Sequence, residues 1–565
     1  MSAEALYEFE AYVDKFIAGI PLWEAPLRTV MSNYILVADS LFNGPRFMLG
    51  GSPDPDKGSE LLSRLSYLSN FLRKTRPDVG ANLLDALNAL RVDELDQIKL
   101  TLAYAHFCEI VPQVRNGHLS VKEVPGGFKL VHPNPEFTIY EELDVVASEL
   151  SLGFVNDMHR RDPRAFLKLA NDWPHLQTSE LKGVLASAYA HYCHHVSEER
   201  YLGEEVYLPA LGFDNRSLRD FRAAFMAFCS WCLGMSAAAE AEGLHTRGSK
   251  ALHWHSECVE WAAPLLKSDF VYNTIHELTG IHIETIKTIA SYYTDDPFGE
   301  LGMSSGEGFS APITVLGSHL LISPRAATTM MAERNILYVL NRRDRRRFDN
   351  LVSQSLEPAL LEAAESLFRL SGYKNIQRNI VWKHGEIDLL VYDEITNTAL
   401  HVQAKAPIPP QGARMTRQVE TNTIKAIAQI NVFEDQTSSF KDDIVRKTFG
   451  HEASDVRWAS AVLTRSSFGT SKAWISLKKI APLNLPLLRF SLESLCGEGY
   501  RDLSRIPEFS NNIVRYIAEH VSQGWEDQIL HLFGKSIEYP SLNLDYRRIA
   551  EIQEGLRNEQ SGCWI

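Results

Sequence analysis

The sequence predicts a multidomain chain: a large, mainly α N-terminal region carrying one β-hairpin, followed by a C-terminal domain of α/β texture. Three observations carry this expectation. Apolar residues recur at helical spacing through most of the first 300 positions. One β-rich stretch, HLSVKEVPGGFKLVH from His118 to His132, interrupts them with a hairpin signal at Pro125-Gly126-Gly127. Beyond about Leu351 the pattern changes to helix, strand, strand, strand, helix.

The helical reading opens with ALYEFEAYVDKFI and ELLSRLSYLSNFLRK, separated by the breaker run GGSPDPDKG between Gly50 and Gly58. After the hairpin it resumes from about Glu141 to about Tyr292, through Ala-rich runs such as VLASAYAHYCHHV and LRDFRAAFMAFCSWCLGMSAAAEAEG. Gly299 to Ser310 reads as a Gly/Ser-rich loop. The expected division is therefore 1–300 helical, for sensing or partner binding, and 301–350 a linker with a basic helix ending in Arg342-Arg343-Asp344-Arg345-Arg346-Arg347. Residues 351–510 form the α/β domain, and 511–565 a helical tail with a polar end.

Composition narrows the setting. With 45% hydrophobic and 23% charged residues, the chain of 565 is that of a soluble globular protein. No stretch approaches the ~20 uninterrupted apolar residues of a membrane helix, and no membrane association is expected. The N-terminus carries acids early and lacks a signal pattern, and the seven cysteines are odd in number and scattered. The expected location is the cytoplasm. The net charge of −14 is uneven: 24 basic against 26 acidic residues from Leu351 on, a net of −2, leave −12 on the first 350. Nucleic-acid affinity follows local charge, so the acidity argues against the N-terminal part as the main DNA surface without excluding the C-terminal one.

Chemistry concentrates in LLEAAESLFRLSGYKNIQRNIVWKHGEIDLLVYDEITNTALHVQAKAP, residues 360–407. An amphipathic helix ends near Ser371-Gly372, where Gly is a natural C-cap. A strand around Asn379–Trp382 turns at Lys383-His384-Gly385 into the apolar strand Glu386–Val391, and the polar turn Asp393–Thr398 leads to Ala399–Lys405. Asp388 and Lys405 are ionisable residues in apolar strands, where a lone charge is expensive unless paired, metal-bound or catalytic. Gln403 and Lys405, two apart, share a strand face. Asp388 can join them from the neighbouring strand, and Glu362 from the helix; Glu365 could reach the same face. A buried structural ion pair would explain Asp388 and Lys405 taken singly.

The set Glu362, Asp388, Gln403 and Lys405 resembles the Glu–Asp–(Asp/Glu/Gln)-X-Lys pattern of the PD-(D/E)XK nuclease superfamily, with Gln403 as in its Mrr-like variant. Gly385-Glu386-Ile387-Asp388 is similar to the family's G-E/V-I-D strand, and Gln429-Ile430-Asn431-Val432-Phe433 to the Q-h-x-x-Y helix of RecB-type members, with Phe for Tyr. The resemblance covers roughly 150 residues. It implies an α/β/α restriction-endonuclease-like domain that hydrolyses phosphodiester bonds with Mg²⁺ or Mn²⁺. Asp388, Glu362 and the Ala404 carbonyl would then be metal ligands, and Gln403 a neutral oxygen donor. Lys405 would orient the attacking water and stabilise charge on the phosphate. Arg414, Arg417, Lys425 and Gln429, on the following helix, would face the substrate.

Other signals are weaker. Cys229-Ser230-Trp231-Cys232 is a C-x-x-C near His191, Cys193, His194, His195, His253, His255 and Cys258, yet it sits in a helical pattern where Cys packs as a small hydrophobe. The Arg342–Arg347 run could contact phosphates or clamp an acidic surface of the same chain. No Walker loop, dinucleotide fingerprint or helicase set is present, so any ATP-driven translocation would come from a partner. The expected function is a regulated deoxyribonuclease, resembling bacterial defence effectors, that cuts DNA or, less in keeping with the family, RNA. A protein partner or a second copy would bind through the helical region. The alternatives are a repair or recombination nuclease and a non-catalytic binding or scaffold protein on the same fold.

Overall fold

The computed structural model describes residues 2–43, 55–77, 92–152, 178–193, 201–247, 260–302, 311–450, 452–477, 480–497, 501–545, 548–549 and 551–552. The protein is mixed α/β, with helices dominating the N-terminal half and strands arranged in three sheets. The expected hairpin is present: β1 (Ser120–Val124) pairs antiparallel with β2 (Gly127–Val131). Its turn needs Gly126, whose φ of 86° would strain a residue with a Cβ.

Two expectations for the next 200 residues are corrected. A second sheet follows, built from β3 (Leu265–Lys267), β4 (Thr294–Asp295), β5 (Ile313–Leu316) and β6 (His319–Ile322) in the order β3-β6-β5-β4. These strands are two to four residues long, too short for an alternating pattern to stand out. The stretch expected as a linker contributes to the core in its described part. The helix Ala332–Arg343 is buried continuously from Ala332 to Leu340, and its polar members are paired there. Arg334 Nε donates to the Pro409 carbonyl at 2.9 Å, and Asn335 Nδ2 to the Tyr292 carbonyl at 2.9 Å. Positions 50–54 of the first breaker run and 303–310 of the Gly/Ser-rich loop lie outside the described residues.

The third sheet runs β11-β10-β9-β8-β7, from β7 (Asn375–Trp382), β8 (Gly385–Asp393), β9 (Thr398–Ala404), β10 (Arg457–Leu463) and β11 (Ala481–Leu483). The first three strands are antiparallel neighbours, and β9, β10 and β11 are parallel. The connection from β9 to β10 is made by the helices Ala413–Glu434 and Ser438–Phe449. Leu389, Val391, Leu400 and Val402 pack on one face against Leu360, Leu361 and Ala364 of the helix Ser353–Leu370. Leu390, Tyr392 and Ala399 pack on the other against Phe433, Ile444 and Val445. Strands covered on both faces read as near-continuous apolar runs, which is why β8 and β9 are conspicuous in the sequence.

The tail is corrected as well. Its helix, Ile506–Val521, leads into β12 (Ser522–Leu532) and β13 (Lys535–Leu544). They turn at Phe533-Gly534, both with positive φ, as a two-residue hairpin loop requires. β13 then pairs with β2, completing a sheet β1-β2-β13-β12 from the two ends of the chain. The halves are also joined by the helix Glu136–Leu152, whose Leu143, Val146 and Leu150 pack with Val462, Phe468 and Leu487. Positions 553–565 lie outside the described residues. Among those described, no helix is long and apolar enough to cross a membrane.

Candidate active site

The register of β8 and β9, fixed by pairs such as Leu389↔Val402, brings the next residues along, Asp388 and Gln403, side by side. Asp388 Oδ2 accepts from Gln403 Nε2 at 2.6 Å and from the Ala404 N–H at 2.7 Å. Lys405 lies one residue beyond the end of β9, held there by its N–H donating to the Leu463 carbonyl of β10 at 2.9 Å. Its Nζ donates to the Ala404 carbonyl at 2.6 Å and stands 3.7 Å from Asp388 Oδ2. The three strand residues named from the sequence therefore converge.

The helical carboxylate is Glu357, correcting the expectation of Glu362. Glu357 Oε2 lies 3.7 Å from Lys405 Nζ, whereas Glu362 is exposed. Five residues turn a helix through about 500°, so the two side chains point about 140° apart and only one can face the strands. Glu365, the other option, is tied to Arg369 at 2.6 Å and Arg378 at 2.9 Å.

Burial dominates the electrostatics. It raises the pKa of Asp388 to about 6, against the pull of Lys405 and with added repulsion from Glu357 and Glu386. Burial likewise raises Glu357, again opposed by Lys405. Behind them, burial lowers His401 to about 4, leaving a neutral imidazole whose Nε2 is 3.4 Å from Gln403 Oε1. Because a carboxylate only accepts, Gln403 must give its NH₂ to Asp388 and turn its oxygen to His401, which then carries its proton on Nε2. Gln403 thus orients Asp388 in place of offering the metal-facing oxygen expected of it.

The Lys405 ammonium is ringed by two carboxylates and one main-chain carbonyl. That oxygen set suits a hard divalent cation that keeps several waters. Among the described residues, no three His, Cys, Asp or Glu side chains form a metal-holding group, since the third oxygen here belongs to the backbone.

Lys405 and Glu357 line a cleft of about 780 Å³. Arg342, Arg345, Asn341 and Tyr338 form one wall, and Met415, Gln418, Val419 and Asn422 of the helix Ala413–Glu434 another. The arginine run is thus divided. Arg343 donates to the carbonyls of Ser291, Thr294 and Leu301, and Arg347 to that of Pro209. Arg342 and Arg345 are left to the cleft.

The residues expected to face substrate do not line this cleft. Arg417 Nη1 donates to Asn116 Oδ1 at 3.3 Å, and Arg414 acts electrostatically on Glu10, so both lie against the N-terminal helices. Lys425 and Gln429 are exposed and outside the cleft lining. Helical rotation turns Arg417 away from the face carrying Met415, Gln418 and Asn422, while Lys425 and Gln429 lie on that face about one and two turns beyond the cleft. Cys229 and Cys232 are packed in the core, where burial raises both thiols, Cys229 having Cys232 as an added cause. His191 and Cys193 are exposed, and His194, His195, His253, His255 and Cys258 lie outside the described residues.

Sequence reasoning missed Glu357 and His401; it offered the Arg342–Arg347 run as a phosphate contact or an internal clamp without dividing it. His401 had a signal, the spacing His-x-Gln-x-Lys that puts it on the Gln403 face of β9. Comparison with protein-family models, with curated proteins and with solved structures finds no match to this chain.

Proposed function

We propose that this chain is a divalent-metal-dependent nuclease that hydrolyses DNA phosphodiester bonds, with a restriction-endonuclease-like domain at 351–510. The observation that carries this reading is the convergence of Asp388, Glu357 and the Ala404 carbonyl on the Lys405 ammonium, at a cleft that also holds Arg342 and Arg345. A structural ion pair needs neither the second carboxylate nor the cleft. Asp388, Glu357 and the Ala404 carbonyl would hold Mg²⁺ or Mn²⁺, which supplies charge neutralisation of the phosphate and an acidified water.

The chain's own groups do the rest. Gln403 and the Ala404 N–H fix the Asp388 carboxylate through two hydrogen bonds to Oδ2, the oxygen that also stands 3.7 Å from Lys405 Nζ. Lys405, a flexible point charge, can leave the Ala404 carbonyl and follow the negative charge that develops on the scissile phosphate. His401, neutral and buried, transfers no proton to substrate and serves to hold Gln403 in one orientation.

The test is cleavage of supercoiled plasmid and single-stranded DNA with Mg²⁺ or Mn²⁺, comparing the parent with Asp388→Ala and Lys405→Ala. Metal-dependent cutting lost in both variants is the expected result. A parent protein that neither cuts nor binds Mn²⁺ would sink the reading. One observation favours a second reading, a nuclease-fold binding protein: the Lys405 ammonium already stands among all three oxygens as their counter-charge. That protein would bind DNA with the same affinity whether or not Mn²⁺ is added.

A further inference from the structure

Arg342 and Arg345 are both exposed, and each is held in place by the protein around it. Arg342 lies over the Tyr338 ring, 5.4 Å from its centroid, and its Nε donates to the Tyr338 hydroxyl at 3.1 Å. Arg345 lies over Phe348 at 5.9 Å, donates Nη1 to Asn341 Oδ1 at 2.8 Å and pairs with Asp349 at 2.9 Å. Both rings are buried, and Asp344, which caps the next turn by accepting from the Arg347 N–H, breaks the helix between the two arginines. Two guanidinium groups are therefore fixed on one wall of the cleft that Lys405 and Glu357 also line. A planar guanidinium held on a ring has lost part of its rotamer freedom beforehand, so less is lost when it binds a phosphate.

The cleft's volume of about 780 Å³ is within the range of a pocket for a small ligand, which holds a short run of one strand and not the body of a duplex. Leu356, Pro407, Ile408 and Met415 add apolar lining beside the arginine wall, so that unpaired bases find apolar surface next to cations that track their backbone.

We propose that Arg342 and Arg345 are a phosphate clamp that seats one strand of a polynucleotide in the cleft, so that the substrate is a single-stranded segment and not an intact duplex. The clamp rests on the nuclease reading for what happens to the strand, but its binding role is measurable apart from cutting. It also gives the helix Ala332–Arg343, which lies outside the five-stranded sheet's own sequence span, a direct part in the site.

The test uses the full chain carrying Asp388→Asn to prevent cutting, with dye-labelled 12-nucleotide single-stranded DNA, the matching RNA and the DNA duplex. Affinity is read by fluorescence anisotropy between 50 and 200 mM salt. The single strand should bind tighter than the duplex. Adding Arg342→Ala and Arg345→Ala together should weaken it about tenfold or more and lower the slope of log affinity against log salt by about 1.4, the value for two phosphates on a single strand. Arg346→Ala, exposed but outside the cleft lining, should change neither.

Replacing both arginines by lysine should restore most of the salt slope, which separates lost charge from lost fold. Unchanged affinity in the alanine pair, a duplex bound as tightly as the strand, or no binding by the Asp388→Asn parent would each overturn the clamp. DNA and RNA arms of equal affinity support it as a backbone reader, and a preference for one names the sugar. Should the clamp hold while the parent never cuts, the nuclease reading alone has failed.

Discussion

Gln403 donates its side-chain amide to the carboxylate of Asp388 at 2.6 Å, across adjacent strands, with both side chains buried. A second carboxylate at this position would face Asp388 at hydrogen-bonding distance, and two like charges there cannot both ionise without a cation between them. The Gln403→Glu variant should therefore melt below the parent in EDTA and bind Mn²⁺ about tenfold more tightly. Thermal melts with and without metal, together with Mn²⁺ titration calorimetry, read both effects. Equal Mn²⁺ affinity in the two proteins would mean that the ion does not bind beside Asp388.

The choice between the two helix glutamates is equally open to measurement. Glu357 stands 3.7 Å from the Lys405 ammonium, while Glu362 faces solvent. Glu357→Gln should cut DNA at least tenfold more slowly and need more Mn²⁺ to do so. Glu362→Gln should match the parent in both. The reverse pattern in a cleavage assay over a range of Mn²⁺ concentrations would restore Glu362 as the ligand.

The site should titrate near pH 6. Burial raises Asp388 from its ordinary 3.8 to about 6, so between those values the folded protein holds a proton that the unfolded chain has released. Folded-state proton binding then exceeds unfolded, and stability falls as pH rises through this window. In EDTA, the urea midpoint of the parent should drop from pH 4 to pH 6.5 more than that of Asp388→Asn. Because metal competes with the same proton, cleavage at low fixed Mn²⁺ should rise about tenfold per pH unit up to pH 6 and then level off. A flat profile over pH 5–7 would show that Asp388 ionises normally and that metal binding does not displace its proton.

The legible parts of this protein were those fixed by local sequence. β8 and β9 announce themselves because both faces are covered, and the polar interruptions Asp388 and Gln403 are conspicuous against that background. Glu357 was not legible for a physical reason. It precedes the segment 360–407, and Pro358 beside it is a residue disfavoured in a helix interior. The helix in fact begins at Ser353 and continues through the proline. Which helical face meets the strands depends on how the helix crosses the sheet, and no periodicity states that. The same limit misdirected attention to Arg414 and Arg417, whose partners Glu10 and Asn116 lie some 300–400 positions earlier. β12 and β13 were missed because their half-exposed residues carry little apolar alternation. The pairing of β13 with β2, across about 400 positions, supplies what the local pattern lacks.

The joint between the two halves can be tested at one carboxylate. Asp144, on the helix Glu136–Leu152, is fully enclosed and accepts from Ser467 Oγ at 2.7 Å, the Phe468 N–H at 2.7 Å and the Trp474 indole N–H at 2.9 Å. Burial raises its pKa to about 6 even though these donors oppose the shift. Asp144→Ala strands two fixed N–H donors, each costing about 1–3 kcal/mol when buried without a partner, while the Ser467 hydroxyl can rotate. A loss of about 3 kcal/mol is expected in urea unfolding. Asp144→Asn keeps an oxygen for the Phe468 and Trp474 donors and turns its NH₂ toward Ser467, so about 1 kcal/mol should suffice. Because Asp144 belongs to the N-terminal half and its donors to the C-terminal one, the alanine variant should also broaden or split a transition that is single in the parent. An alanine variant as stable as the parent, with one sharp transition, would mean that the apolar contacts of Leu143, Val146 and Leu150 alone hold the helix in place.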